Sequence, residues 1–376
     1  MYKRQIQDRA SDIHIEPTET DLRVRYRIDG VLKEVQRSPR QIQAGVISRV
    51  KILSEIDIAE HRKPQDGRMS VNHHGRKIDL RVATLPTVWG EKVVMRILDN
   101  STARLDLKDL GFLERNKKVY EESYTKPYGM MLVTGPTGSG KSTTLYATLN
   151  AVARPEINVI TVEDPVEYRL PGINQVQVNP KAGLTFAVAL RSILRCDPDV
   201  VLVGEIRDHE TAQIAIEAAL TGHLVLSTLH TNDAPSAITR LIEMGIEPFL
   251  VGSALDCVTA QRLARRLCSK CKVAYQATEL EMTVAKFIWA PGDPLPELFR
   301  AAGCTACSNT GYRGRLALHE VMPVDEDIER HAVAHSSSSE IAETARAHGM
   351  IPLRQDGLVK VVAGLTSIEE ILRVVI

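Results

Sequence analysis

The chain changes its hydrophobic pattern twice. Near the start, Leu22-Arg23-Val24-Arg25-Tyr26-Arg27-Ile28 alternates strictly, which predicts a strand with one apolar and one cationic face. Asp29-Gly30 is a hairpin turn signal, and Val31-Leu32-Lys33-Glu34-Val35 reads as the returning partner. Residues 41–56 have helical spacing, with Ile42, Val46, Val50 and Leu53 expected on one face. Two more strand-like runs follow, 77–83 after a His74-Gly75 turn and 92–98 after Trp89-Gly90. Together they predict an α+β domain over residues 1–98, with 99–111 as linker. The first ten residues are polar and patternless, and read as the cut edge of a longer protein.

From residue 112 the texture becomes β/α. The runs 130–133, 158–162, 200–203 and 224–226 are continuously apolar, as strands buried on both faces are, and helical stretches separate them. The fold class expected is α/β, a mostly parallel sheet with helices on its faces, over 112–376. One helix spans about 207–220 and closes at Gly222. After Gln261 a cysteine-bearing insert interrupts the pattern, about 263–315. The remainder, 316–376, is helical: 339–348 ends at Gly349, and Ser367-Ile368-Glu369-Glu370 reads as a capping box.

The first apolar run leads into Gly135-Pro136-Thr137-Gly138-Ser139-Gly140-Lys141-Ser142, which matches G-x-x-x-x-G-K-[ST] in strand–loop–helix context. Its glycines let backbone N–H groups close around a β-phosphate at the start of a helix, where negative charge is favoured. Lys141 reaches β/γ oxygens, the Ser142 hydroxyl is a magnesium ligand, and Thr143 lies beside it in the same first turn. This loop predicts nucleoside triphosphate binding.

Composition narrows the partners. Formal net charge is zero and aromatics are 4%, so neither the basic footprint nor the stacking platforms of a nucleic-acid binder are present. No apolar run approaches the roughly 20 residues that span a bilayer, and no signal peptide opens the chain. A cytoplasmic location is expected, with the six cysteines reduced.

Ligands of a parallel sheet sit at the C-terminal edge of its strands. There Glu205 ends one apolar run and Glu163 another, giving a carboxylate for metal and one for water; either could instead cap the next helix. His223 and His230 flank a third run, and His230, at its C-terminal end, is the candidate γ-phosphate sensor against a merely structural role. Cys268-Ser269-Lys270-Cys271 and Cys304-Thr305-Ala306-Cys307 make a Cys₄ pattern for structural zinc, with a redox pair as the rival reading. Residues 279–296 between them are too proline-rich to hold themselves together. Cys196 and Cys257 read as core residues.

Several of these segments, with others, carry a family resemblance. Ser11-Asp12-Ile13-His14-Ile15-Glu16-Pro17, the Pro64-Gln65-Asp66-Gly67-Arg68 turn, Val162-Glu163-Asp164-Pro165-Val166-Glu167, Gly204-Glu205-Ile206-Arg207-Asp208, Ser227-Thr228-Leu229-His230-Thr231-Asn232 and Gly311-Tyr312-Arg313-Gly314-Arg315 resemble the secretion ATPases. These are hexameric motors of type II secretion and type IV pilus assembly. The resemblance implies a RecA-like core behind a PAS-like domain, with ATP, Mg²⁺ and Zn²⁺ as cofactors. Glu163 would belong to the aspartate box, Glu205 would be the catalytic glutamate, and His223 and His230 would form the histidine box. Arg81, Arg96, Arg191 and Arg195 match arginines that reach nucleotide; on residue type alone each is a solvated charge. Family members usually carry a further N-terminal domain that docks on membrane machinery.

The reading implied is a cytoplasmic homo-hexameric motor at an inner-membrane platform protein, driving type IV pilus assembly. The zinc module and Thr231-Asn232-Asp233-Ala234-Pro235 favour assembly over retraction. Type II secretion is the alternative. Two other classes stay open, a RecA-like nucleic-acid translocase and a nucleotide-gated switch without turnover.

Overall fold

The computed structural model describes residues 10–73, 76–98, 106–288 and 292–375. The opening residues 1–9, the expected His74-Gly75 turn and the first part of the expected linker lie outside the described residues. So do residues 289–291 of the insert. Two compact units emerge, Met1–Thr102 and Ala103–Ile376.

The first unit holds β1 (Ala10–Pro17), β2 (Asp21–Ile28), β3 (Val31–Pro39), α1 (Gln43–Leu53), β4 (Gln65–His73), β5 (Arg76–Thr87) and β6 (Gly90–Leu98). Its sheet is antiparallel throughout, in the order β3-β2-β1-β6-β5-β4. The alternation in β2 does what its pattern predicts: Leu22, Val24 and Tyr26 are buried. The turn into β3 has positive φ at Asp29 (48°) and Gly30 (84°), the pair a two-residue hairpin needs. Ile13, Ile15, Val93 and Met95 complete the core.

Three local expectations change. Helix α1 buries Ile47, Val50 and Lys51, whereas Ile42 (48%) and Leu53 (36%) are exposed. Ile42 falls in a preceding 3₁₀ turn, out of phase with the helix. The Lys51 ammonium, fully buried, needs the Glu91 carboxylate at 2.6 Å and the Glu60 carbonyl at 2.7 Å, which turns that side of α1 inward. The segment 64–68 is not a turn but the start of β4, paired Gln65↔Thr84 to Arg68↔Arg81. Gly67 is required there because a Cβ would lie 2.3 Å from the Ser54 carbonyl oxygen. Finally, β1 is a central strand that two apolar residues, Ile13 and Ile15, were too few to announce.

The second unit contains α2 (Glu114–Tyr124), β7 (Gly129–Thr134), α3 (Lys141–Val152), β8 (Val159–Glu163), β9 (Asn174–Gln177) and α4 (Phe186–Ile193). It continues through β10 (Val200–Val203), α5 (His209–Leu220), β11 (Leu224–Leu229), α6 (Pro235–Glu243), α7 (Pro248–Ala254) and β12 (Leu255–Leu267). The insert adds β13 (Val273–Gln276), α8 (Glu279–Ala285) and β14 (Glu297–Arg300), and β15 (Tyr312–Pro323) returns to the sheet. Helices α9 (Glu326–Val333), α10 (Ser338–Ala347), α11 (Leu353–Val362) and α12 (Ile368–Val374) follow. The large sheet runs β15-β12-β7-β11-β10-β8-β9, parallel except for β15 against β12. Met130 and Leu132 pack with α4, α5 and α6, while Met131 and Val133 pack with α2 and α3. Burial on both faces is why these strands read as unbroken apolar runs.

The texture change at Gln261 does not end the sheet, because β12 continues to Leu267 and pairs back to Tyr312. Nor is 279–296 unable to hold itself together. Its first part is α8, closed by a Thr278/Glu281 capping box and anchored by buried Met282 and Ala285. The expected box at Ser367 and Glu370 does not form. The Ser367 hydroxyl instead bonds the Tyr312 hydroxyl at 2.7 Å, and the buried Glu370 carboxylate is taken by Arg265 and Arg373.

Candidate functional site at the edge of the parallel sheet

Strand β7 lies between β11 and β12 and ends in the phosphate loop, so both neighbours address that loop. Gly135 (φ 146°), Gly138 (81°) and Gly140 (90°) all adopt left-handed backbone, which a side chain would strain. At Gly135 space forbids one as well: a Cβ would stand 2.5 Å from the Gln261 carbonyl oxygen. Pro136, Thr137 and Gly138 are exposed at the crest, Ser139 is buried, and Lys141 opens α3 with Ser142 exposed and Thr143 half-buried. The Lys141 ammonium donates to the Gly135 carbonyl at 2.7 Å and the Pro136 carbonyl at 3.2 Å. Partial burial pushes its pKa down to about 8, opposed by Glu205 and assisted by Arg262.

Glu205 lies two residues beyond β10. One carboxylate oxygen meets Arg207 Nη2 at 2.7 Å and the other His230 Nε2 at 3.4 Å. His230 follows β11, so strand order brings together the pair singled out from sequence. At Gly204 a Cβ would be 3.2 Å from the Val162 carbonyl oxygen, so this strand end packs closely against β8. The loop is tied to β11 by Ile206 N–H donating to the Thr228 carbonyl at 3.0 Å.

Glu163 ends β8 but faces elsewhere. It accepts from Thr161 Oγ1 at 2.6 Å, from Gln175 Nε2 at 3.1 Å and from the Tyr146 hydroxyl of α3. Burial beside this carboxylate pushes the Tyr146 phenol up. With both oxygens engaged, Glu163 is a tie between β8 and α3 rather than a second carboxylate aimed at the phosphates. His223 precedes β11, about 20 Å from His230 by strand rise, at the opposite sheet edge, where its Nδ1 lies 3.0 Å from the Ala218 carbonyl oxygen. Within one chain it cannot join His230 at nucleotide.

The arginines divide. Arg191 on α4 pairs with Glu210 at 2.7 Å, and Arg195 donates back to the Arg191 carbonyl at 2.8 Å. In the first unit Arg81 and Arg96 are register partners across β5 and β6, and Arg96 meets Asp12 at 2.9 Å. They lie on the polar face with Arg23, Arg25 and Lys92, which surround Glu16. Burial raises the Glu16 pKa, but Arg25 and Lys92 outweigh it and hold the carboxyl at about 2.

In the insert the four cysteine sulfurs all lie within 4.8 Å of one another: Cys268–Cys304 3.9 Å, Cys271–Cys307 3.8 Å and Cys304–Cys307 3.8 Å. Disulfide sulfurs would be about 2.05 Å apart, so these are not bonded pairs. Backbone N–H groups of Cys304 and Gly311 each point at Cys307 Sγ at 3.2 Å. Cys196 is exposed, contrary to the core position expected, while Cys257 is buried.

Sequence reasoning missed Gln261, Arg262 and Thr144, all in contact around the phosphate loop. The available signal was a lone glutamine directly after the mostly apolar run 255–260.

A parallel sheet carrying this loop, with a glutamate and a histidine on the two adjacent strand ends, defines a phosphate-loop ATPase. The family described as "Type II/IV secretion system protein" matches residues 1–373, and the chain belongs to it. Type II secretion system protein E of Aeromonas hydrophila is 52% identical over 100% of this chain and 74% of its own length. Type IV pilus assembly ATPase PilB of Thermus thermophilus is 52% identical over 96% and 41% respectively. Among solved structures, the pilus retraction motor PilT with bound ADP is 26% identical, with TM-score 0.65, covering 99% of this chain and 94% of its own. The Legionella pneumophila ATPase DotB shares the fold at 20% identity and TM-score 0.71, covering 98% and 92%. The chain is thus an ATP-hydrolysing enzyme that uses its nucleotide with Mg²⁺. It combines a RecA-like core with a preceding α+β, PAS-like unit. Among the described residues no helix is long and apolar enough to cross a membrane.

Proposed function

We propose that this ATPase is a homo-hexameric motor of type IV pilus assembly, acting in the cytoplasm on an inner-membrane platform protein. The observation that carries the chemistry is the Glu205–His230 pair at the ends of β10 and β11, with β11 directly beside the strand that ends in the phosphate loop. Lys141 leaves the loop carbonyls it now holds and takes the β/γ oxygens of ATP. Glu205, oriented by Arg207, accepts a proton from the attacking water at Oε2. The water oxygen bonds the γ-phosphorus as the bond to the bridging β–γ oxygen breaks, ADP leaves with that electron pair, and His230 Nε2 holds the Glu205 carboxyl in place. The exposed Ser142 hydroxyl at the start of α3, with the Glu205 carboxylate close enough to act on Lys141, fits a magnesium site that would neutralise phosphate charge. Arg81, Arg96, Arg191 and Arg195 are the arginines that act on the developing charge, and His223 completes the histidine box with His230.

The four cysteines hold zinc. At about 2.3 Å per Zn–S bond a tetrahedral site has edges of about 3.8 Å, which the 3.8–3.9 Å sulfur separations match. The ion would be structural, closing the insert where the β12–β15 ribbon ends.

Type II secretion is a second reading, favoured by 52% identity to the Aeromonas hydrophila protein across the whole chain. Replacing the native copy with Glu205→Gln in its own bacterium separates them. Loss of surface pili supports the assembly motor, and loss of secreted enzymes with pili intact supports the second reading. If both persist, neither holds.

A further inference from the structure

Strand β12 runs beside β7 in register Ala260↔Thr134, so its next two residues, Gln261 and Arg262, flank the first glycine of the phosphate loop. Adjacent strand residues point to opposite faces, and each of these two reaches a different loop. Gln261 is buried. Its Nε2 donates to the Ser139 carbonyl at 2.8 Å, and its Oε1 accepts from the Thr144 hydroxyl at 2.7 Å. The amide orientation is settled chemically, since a carbonyl can only accept. A Cβ on Gly140 would lie 2.7 Å from that same Nε2, so loop and glutamine fit each other closely.

Arg262 works on the other side. Nη1 donates to the Gln261 carbonyl at 3.1 Å, and Nη2 donates to both Asn232 O at 2.9 Å and Asn232 Oδ1 at 3.2 Å. Asn232 is two residues past His230. A Cβ on Gly135 would be 3.2 Å from Nη1, so the guanidinium lies against the base of the phosphate loop. A second tie runs parallel to it, Thr231 N–H donating to Thr134 Oγ1 at 2.8 Å.

We propose that Gln261 and Arg262 are positioning residues for ATP hydrolysis, Gln261 shaping the phosphate loop and Arg262 holding the His230 loop in register with it. The Arg262 part rests on the hydrolytic role of Glu205 and His230; the Gln261 part rests only on nucleotide binding. The two residues therefore affect different kinetic constants. Losing the Gln261 amide leaves the Ser139 carbonyl and Thr144 hydroxyl without their buried partner, which costs affinity. Losing the Arg262 fork lets the His230 loop shift while the phosphate loop stays formed. A misplacement of that kind costs turnover by about 10²-fold.

The test uses the full chain with bound metal, and measures Mg-ADP binding alongside steady-state turnover. Gln261→Leu should weaken Mg-ADP binding by roughly 10-fold, as expected for one well-placed hydrogen bond of about 1.4 kcal/mol. Gln261→Glu keeps the acceptor for Thr144 but loses the donor. Burial raises its pKa, so as pH falls toward 6 the neutral acid donates to Ser139 and binding should recover above that of the leucine variant. Arg262→Lys, a point charge without the fork, should lower kcat by about 10²-fold with Mg-ADP affinity within about 2-fold of wild type. Wild-type affinity in Gln261→Leu, or no recovery of Gln261→Glu at low pH, overturns the role of Gln261. Unchanged kcat in Arg262→Lys, or a matching loss of affinity, overturns that of Arg262. If Gln261→Leu does not fold, the pH response of Gln261→Glu decides alone. Should Arg262 fail while Gln261 holds, the fault lies in the role given to the His230 loop.

Discussion

In the six-stranded sheet the polar residues cover a face, whereas in the seven-stranded sheet they gather at an edge. Arg23, Arg25, Arg81, Lys92 and Arg96 alternate with core residues, because an antiparallel sheet covered by one helix leaves its other side to water. The parallel sheet is apolar through its thickness, so its chemistry waits until a strand ends: Gly135 after β7, Glu205 after β10, His230 after β11. A face spreads charge over many partners. Glu16 alone meets Arg23, Arg25 and Lys92, and Arg96 meets Asp12. An edge converges a few groups on one point, and loss of one there should be far more damaging.

The sharpest break in that contrast is Lys141→Ala, which removes the cation proposed to take the β/γ oxygens. Hydrolysis should become undetectable in a phosphate-release assay, with the fold intact by circular dichroism. On the face, Arg81→Ala and Arg96→Ala should each bind nucleotide almost normally. Each should slow turnover by roughly 10³-fold, the low end of the ~10³–10⁵ that a nucleotide-directed arginine contributes. Full activity in both would make the face a scaffold and sharpen the contrast further.

How far these sites could be read in advance follows from the same difference. Alternation exposed the β2–β3 hairpin, and continuous apolar runs exposed β7, β8, β10 and β11 together with the groups at their ends. Strand β12 escaped because it begins inside the core at Leu255 and passes Arg262, Arg265 and Arg266 on its way out, so neither pattern persists along it. Gln261 escaped with it. Glu163 and the Ser367-Glu370 box had the right local spelling, but distant partners claimed the side chains: Tyr146 for Glu163, Arg265 and Arg373 for Glu370. No local pattern encodes such partners.

Two smaller effects concern the insert and the titration of Lys141. Zinc should be found at one ion per chain by elemental analysis. Cys268→Ser or chelation should increase amide exchange within 268–311 while the phosphate site still binds nucleotide, since the ion contributes local folding energy. The smallest effect is one of pH. Burial holds free Lys141 down to about 8, and bound phosphate would raise it, so binding takes up a proton above that pH. Nucleotide affinity, flat below about pH 8, should fall as pH rises past it, by up to about 10-fold per unit, and Lys141→Arg should abolish the dependence.

The most direct measurement is Glu205→Gln, with ATP binding and phosphate release followed on the same preparation. The change preserves shape and removes the carboxylate that faces His230. ATP should bind close to wild-type affinity while phosphate release falls by about 10²–10⁴-fold, the range for loss of a positioned general base. Wild-type phosphate release from Glu205→Gln would contradict hydrolysis at the β10–β11 edge.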